Sequence, residues 1–186
     1  MKNEKKSPLF WTLLNRDGWR LHVAATAQGL CFVGSQGKPW GELADWAGRR
    51  MPGVPLVQDD ERLQPYVTPL SAYLRGERET FAVQLNVHGT PFQLAVWGAL
   101  RQIPFGQTRT YSQIAEQIQR PAAVRAVGTA IGANPVLIAV PCHRVIGKSG
   151  ALTGYRGGMK MKQGLLQLEQ GEAGTERRRA HVEAHP

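Results

Sequence analysis

The residues with the most capacity for chemistry lie in one run, Val140-Pro141-Cys142-His143-Arg144-Val145-Ile146-Gly147. It places one of only two cysteines at the end of an apolar segment, Val136 to Val140, with an imidazole and a guanidinium immediately after it. The segment reads as a buried strand running out into a loop. A thiol placed there can have its pKa lowered and its sulfur exposed to a substrate, as nucleophilic catalysis requires. Met161, Leu165 and Leu168 form a helical stripe, and Glu169 falls in its last turn. A carboxylate there opposes the helix dipole at a cost of ~0.3–1 kcal/mol. It is either a frayed, solvated side chain or a carboxylate placed to orient a histidine. In the second reading Cys142, His143 and Glu169 supply nucleophile, base and orienter. Adjacent side chains diverge, so His143 needs a turn or a bridging water to reach the Cys142 sulfur.

Asn134-Pro135 breaks the preceding helix and leaves the Asn134 amide to bond a turn. The loop from Gly147 to Gly158 holds five glycines around Thr153 and Tyr155, so its backbone can approach a flat ligand. Cys31 sits inside a strand pattern and reads as a small buried hydrophobe. His22 and His88 have no partners at ligand spacing and read as structural. With no CxxC spacing, neither a disulfide framework nor a cysteine zinc site is expected. No phosphate-cradling GxxxxGK or GxGxxG run is present, and no cofactor is expected.

The elements that must position these groups fall into two textures. Trp19–Thr26 and Leu30–Val33 read as strands around the turn Gln28-Gly29, Pro39–Arg50 and Asp59–Leu74 as helices, and Phe81–Val87 as a further strand. Residues 1–88 thus form an α/β domain. From 89 to 171 the reading is mainly helical. Thr90-Pro91-Phe92-Gln93 and Thr110-Tyr111-Ser112-Gln113 are capping boxes that open helices to Ile103 and to Ile118. Gln119-Arg120-Pro121 makes a tight turn, and a third helix runs from Ala122 to about Ala133. Helix, short turn, helix is a helix-turn-helix pattern. Residues 172–186, with Arg177-Arg178-Arg179, form a polar tail expected to be disordered.

On the third helix Val124, Val127 and Ile131 share one face, suited to a core. The opposite face carries Ala122, Ala126, Thr129 and Ala133, and Arg125 projects from its edge. So small a face lets a backbone approach closely, either another protein element or a nucleic-acid groove. It lacks the Asn, Gln and Arg set that reads base edges, so binding to DNA would show little sequence preference. Charge agrees: Pro91 to Gln170 holds nine Lys or Arg against two Asp or Glu, whereas residues 1–90 hold eleven against nine. That concentration favours a polyanion partner. No apolar stretch approaches the ~20 residues of a membrane span. The run Leu9 to Leu14 lacks a following cleavage site, so no signal peptide is expected and a reducing cytoplasm fits best.

Several motifs together resemble the O6-alkylguanine-DNA alkyltransferases, or methylated-DNA–protein-cysteine methyltransferases. They are Tyr111-Ser112-Gln113-Ile114-Ala115, Arg125-Ala126-Val127-Gly128, Asn134-Pro135, Pro141-Cys142-His143-Arg144, Thr153-Gly154-Tyr155 and the closing segment Lys162 to Glu169. Residues 1–88 are similar in pattern to that family's ribonuclease H-like N-terminal domain. The resemblance implies a winged-helix-like second domain and repair of double-stranded DNA by irreversible transfer of the alkyl group of O6-alkylguanine, and of O4-alkylthymine, to the protein. It implies Cys142 as acceptor, His143 deprotonating it through a water, Glu169 holding His143, and Asn134 stabilising the turn. It implies Arg125 entering the duplex from the minor groove to replace the flipped base, with Tyr111 crowding the 3′ phosphate. Ala126, Thr129 and Arg144 would also meet DNA, and Tyr155, Val145, Gly157 and Leu137 would line the base pocket. No metal, no cofactor and a monomer are expected. A noncatalytic alkyltransferase-like protein would lack Cys142, a cysteine hydrolase would leave the helix-turn-helix unexplained, and a simple DNA-binding regulator would not need Pro-Cys-His-Arg.

Overall fold

The structure, a computed structural model, describes residues 6–80 and 82–171. The expected tail, 172–186, lies outside the described residues. Strands β1 (Leu9–Arg16) and β2 (Trp19–Thr26) form an antiparallel hairpin. Their two-residue turn is Asp17-Gly18, with φ of 53° and 80°, the left-handed pair that matches strand twist. β3 (Gly29–Val33) pairs with β2, and the short β4 (Leu56–Gln58) pairs parallel to β1, giving the order β3-β2-β1-β4. Neither β1 nor β4 was among the expected strands.

Helix α1 (Gly41–Arg50) belongs to a small core beneath one face of the sheet with Leu9, Ala24, Cys31 and Phe32. Helix α2 (Gln64–Leu74) and the whole second half of the chain cover the other face. Burial on both faces explains why β3 is apolar at every position rather than alternating. The helix expected from Asp59 starts only at Gln64, because residues 60–63 form turns. The strand expected at 81–87 does not form across the described residues 82–87. Instead Leu30 makes one isolated bridge to Leu85, through Leu30 N to Gln84 O at 2.9 Å and Asn86 N to Leu30 O at 2.8 Å. Gly29, at φ 142°, permits that approach: a Cβ there would lie 2.6 Å from Gln84 O.

The second half begins with α3 (Pro91–Leu100), whose Thr90–Gln93 capping box is complete. Strand β5 (Arg109–Thr110) leads into α4 (Tyr111–Gln117), whose Thr110–Gln113 box is also complete. The chain turns through Gln119, at φ 58°, and a 3-10 turn at Pro121–Ala123, and enters α5 (Val124–Gly132). The expected helix-turn-helix is therefore present. β5 pairs parallel with β6 (Val145–Ile146), and α6 (Met159–Gln170) closes the described chain. One hydrophobic core runs without a break from Leu14 and Leu30 to Val127, Val136 and Leu165, so the two halves share an interior. Among the described residues no helix is long and apolar enough to cross a membrane.

Candidate active site and nucleic-acid face

The apolar segment before Cys142 is a tight turn, not a strand. Val136 bridges Val33, Leu137 bridges Val140, and Ile138 between them sits at φ 72°. A β-branched residue in that region is strained, on the order of 1–2 kcal/mol. Asn134 holds the turn from inside. Its Oδ1 accepts from Val136 N at 2.9 Å, and its Nδ2 donates to Val140 O at 2.9 Å and to Cys142 Sγ at 3.1 Å. The outer side is stitched to β3, with Val33 N donating to Pro135 O at 3.0 Å and Leu137 N to Val33 O at 3.4 Å.

Cys142 opens a 3-10 turn, Cys142–Arg144, that sends the three side chains different ways. Cys142 is 2% exposed, so the expectation of an open, acidic thiol is corrected. Burial pushes the Cys142 thiol up, while the Asn134 amide and the charges of Arg156 and Lys162 pull it back only in part. The resting group is a thiol, and a base must take its proton.

His143 is fully buried, and its Nε2 lies 2.8 Å from Glu169 Oε1. An ionised carboxylate only accepts, so Nε2 carries the proton and Nδ1 is the free base. Nδ1 is buried with no hydrogen-bond partner. Burial lowers the His143 pKa; Glu169 opposes that, while Arg144 and Lys162 add to it, so the ring is neutral at rest. Glu169, 8% exposed, also accepts from Gly106 N at 3.1 Å, from the Tyr73 hydroxyl, and from Arg144 through Nε (3.0 Å to Oε2) and Nη2 (2.9 Å to Oε1). Burial alone would raise its pKa, but the hydrogen bonds from His143 and Arg144 outweigh it and hold the carboxyl at about 2. The geometry selects the orienting reading of Glu169 over the frayed one.

Arg144 departs from expectation. Its guanidinium turns inward onto Glu169 and donates to Ile103 O at 2.6 Å, which leaves it 8% exposed and committed to the interior instead of DNA. Three residues that sequence reasoning missed complete the site. Tyr73 arrives from α2 in the first half and also lies 3.4 Å from His143 Nε2. Arg156 clamps the halves together, donating to Asn134 O at 2.9 Å, Val33 O at 2.7 Å and Glu42 Oε1 at 3.0 Å. Lys162 is fully buried and donates to Val145 O at 2.6 Å and Thr153 O at 2.8 Å, which fixes the glycine-rich loop over the turn. Only Lys162 carried a readable signal: a cation one position from Met161, on the buried stripe of α6.

Tyr155 is half-buried and its hydroxyl is enclosed without a partner. Gly157 sits against its ring: a Cβ there would lie 2.6 Å from Tyr155 Cε1 and 2.4 Å from Met161 Sδ, so a larger residue would have to displace both side chains. Val145 and Leu137 are fully buried in the common core, behind the turn. Tyr111, at the start of α4, accepts a hydrogen bond from Thr153 Oγ1 at 3.0 Å, which ties the helix-turn-helix to the loop. On α5, Val127 and Ile131 are buried, while Arg125, Ala126 and Thr129 are exposed, as the periodicity requires; Ala133 is half-buried. Cys142 with Asn134 and His143 with Glu169 are thus two hydrogen-bonded pairs joined through the Cys142–Arg144 turn, and the small face of α5 presents a separate, basic-edged surface.

Comparison with known proteins agrees with both parts. Residues 9–87 match the 6-O-methylguanine DNA methyltransferase, ribonuclease-like domain, family, and residues 91–171 match the 6-O-methylguanine DNA methyltransferase, DNA binding domain, family. The inducible methylated-DNA–protein-cysteine methyltransferase of Bacillus subtilis is 59% identical over 164 residues, 88% of this chain and 92% of that protein. A methylated-DNA–protein-cysteine methyltransferase of Mycobacterium bovis is 56% identical over 107 residues, 58% of this chain and 65% of that one. The crystal structure of Mycobacterium tuberculosis OGT in complex with DNA superposes with a TM-score of 0.75 at 40% identity, covering 87% of this chain and 92% of that one.

Proposed function

Because this chain belongs to the 6-O-methylguanine DNA methyltransferase family, we propose that it repairs DNA by taking the alkyl group of O6-alkylguanine, and of O4-alkylthymine, onto Cys142 in one irreversible turn. The observation that carries this reading is the Cys142 sulfur held at 3.1 Å by Asn134 beside a histidine whose Nδ1 is bare and whose Nε2 is bound to Glu169. His143 Nδ1 takes the thiol proton through a water. The sulfur lone pair attacks the alkyl carbon, a C–S bond forms and the carbon–oxygen bond breaks, and guanine leaves with a proton in place of the alkyl group. Glu169 stabilises the transient imidazolium. The thioether has no route back to a thiol, so each molecule acts once.

The target is buried in the base stack, so the nucleotide must be extruded at a cost of a few kcal/mol. In this reading α5 lies in the minor groove with Ala126 and Thr129 against the backbone. Arg125 fills the gap, Tyr111 crowds the 3′ phosphate, and the base rests on Tyr155 and the backbone of Gly157, while Val145 and Leu137, expected in the pocket wall, are fully buried and back the turn. Residues 89–171 carry DNA binding and chemistry, and 1–88 support them. We place the protein in the cytoplasm, at the nucleoid in a prokaryotic cell, as a monomer that needs no cofactor. The test is duplex DNA carrying labelled O6-methylguanine in excess. Label should move to protein, stop at one equivalent, and lie on the peptide containing Pro141-Cys142-His143. Turnover beyond one equivalent, or label on Cys31, defeats the reading.

A further inference from the structure

The exposed face of α5 does not stop at the end of the helix. Arg125, Ala126, Thr129 and Gly132 are exposed along it, and Gly132 with Ala133 then lines a groove of about 330 Å3 between the two halves of the molecule. From the first half, α1 contributes Trp46, Arg49 and Arg50 to that groove. Its charged groups are Glu42, Arg49, Arg50 and Arg156. Glu42 and Arg156 neutralise each other in a 3.0 Å ion pair. Arg49 and Arg50 remain: both are exposed, and among the described residues neither guanidinium makes a hydrogen bond or an ion pair. Cations suit the last turn of a helix, but that leaves unexplained why two unpaired guanidiniums share a groove with the C-terminal end of α5.

We propose that the first half of the chain extends the DNA track, with Arg49 and Arg50 holding backbone phosphates of the duplex that lies on α5. The inference rests on reading α5 as the DNA-facing helix. A guanidinium fork matches two phosphate oxygens, and Phe32 and Trp46 on the groove wall reduce the competing hydration. Such contacts position the duplex without reading its sequence. They also assign the N-terminal half a direct part in binding, which the basic charge of residues 91–170 alone would not suggest.

The test is the salt dependence of binding to a methylated duplex, read by fluorescence anisotropy, for the full chain and two double variants. Arg49→Ala with Arg50→Ala should flatten the slope of log affinity against log salt by about two phosphate contacts and weaken binding about tenfold at moderate salt, equally for unrelated sequences. Arg49→Lys with Arg50→Lys should restore most of the slope. Both sites are exposed, and an unchanged melting temperature confirms that the fold survives. A slope unaltered by the alanine pair overturns the proposal. So does a slope lost in both pairs, which would assign the arginines a structural role. A parent chain whose duplex affinity ignores salt would instead bring down the DNA-binding reading itself, which separates the two failures.

Discussion

Cys31 and Cys142 are both 2% exposed, yet they occupy opposite chemical situations. Cys31 lies in β3, packed under α1, and its sulfur donates to the carbonyl of Ala24 at 3.4 Å. Burial pushes its thiol up to about 12. Cys142 lies on a turn where an amide donor faces the sulfur and two cations, Arg156 and Lys162, stand near it. Burial works against both thiolates. What separates them is whether the surroundings offer a side-chain amide and positive charge, and whether a neutral base waits beside them. Low exposure, often read as inertness in a cysteine, carries no such meaning once the interior around it is polar.

The largest effect that could break this comparison is exchange of the sulfur itself. Cys142→Ala should bind methylated duplex and accept no label, while Cys31→Ala should still take one equivalent. Mass spectrometry of the trapped protein decides both.

Next comes Glu169→Gln, which removes the charge that stabilises imidazolium. Transfer should slow by ~10²–10⁴-fold with duplex affinity nearly unchanged. Because Arg144 then keeps a buried charge without its partner, unfolding should also cost ~3–5 kcal/mol less. The parent's acid limit has the same origin. A carboxyl held at about 2 in the folded chain contributes stability that is complete above the unfolded value, near 4.3, and is lost as pH falls through about 2. An acid titration followed by tryptophan fluorescence should therefore show a step in this interval that the Gln variant lacks.

Arg125→Ala sharpens the comparison from outside. It should cut repair in duplex by about tenfold or more and leave transfer from the free O6-alkylguanine base nearly intact, because the sulfur's surroundings do not change. Equal losses on both substrates would remove Arg125 from extrusion.

The smallest expected effect is Tyr73→Phe. Glu169 loses one charge-assisted donor, worth about 1–2 kcal/mol. Transfer should fall several-fold with duplex affinity unchanged, and the ascending limb of the pH–rate profile should shift. A profile that superposes on the parent's would reduce Tyr73 to packing.

Motifs with local causes were legible. Both capping boxes, the helix-turn-helix and the two faces of α5 follow from spacing within short windows. The set Asn134, Cys142, His143 and Glu169 is completed by the family resemblance, since spacing alone leaves Glu169 open. What escaped depends on distant partners. The five-residue run before Cys142 has strand composition, yet Asn134 and the edge of β3 bend it into a turn. Arg144 sits in a basic region and reads as a phosphate ligand until Glu169 is seen to occupy its guanidinium. Tyr73 lies inside α2 with ordinary helical spacing, and nothing within its window announces a carboxylate 96 positions away. β1 was readable and missed: the Asp17-Gly18 turn and the buried positions Leu9, Thr12 and Leu14 were both on view.

The stitch between Val33 and the segment 135–137 has a consequence for how the molecule is made. These backbone partners lie more than a hundred residues apart, so the turn that bears the sulfur cannot close until most of the chain has been synthesised and collapsed. Contacts of such separation form late and slowly. Before they form, Cys142 has no fixed amide, no ordered imidazole and no cationic neighbours, and behaves as an ordinary thiol. Reactivity thus arrives with the final docking step, and it should vanish at the first cooperative opening on heating, when the amides of Val33 and Leu137 exchange their hydrogens together. On the proposed single-use reading, the chain is in this way kept from reacting before it can bind a damaged base.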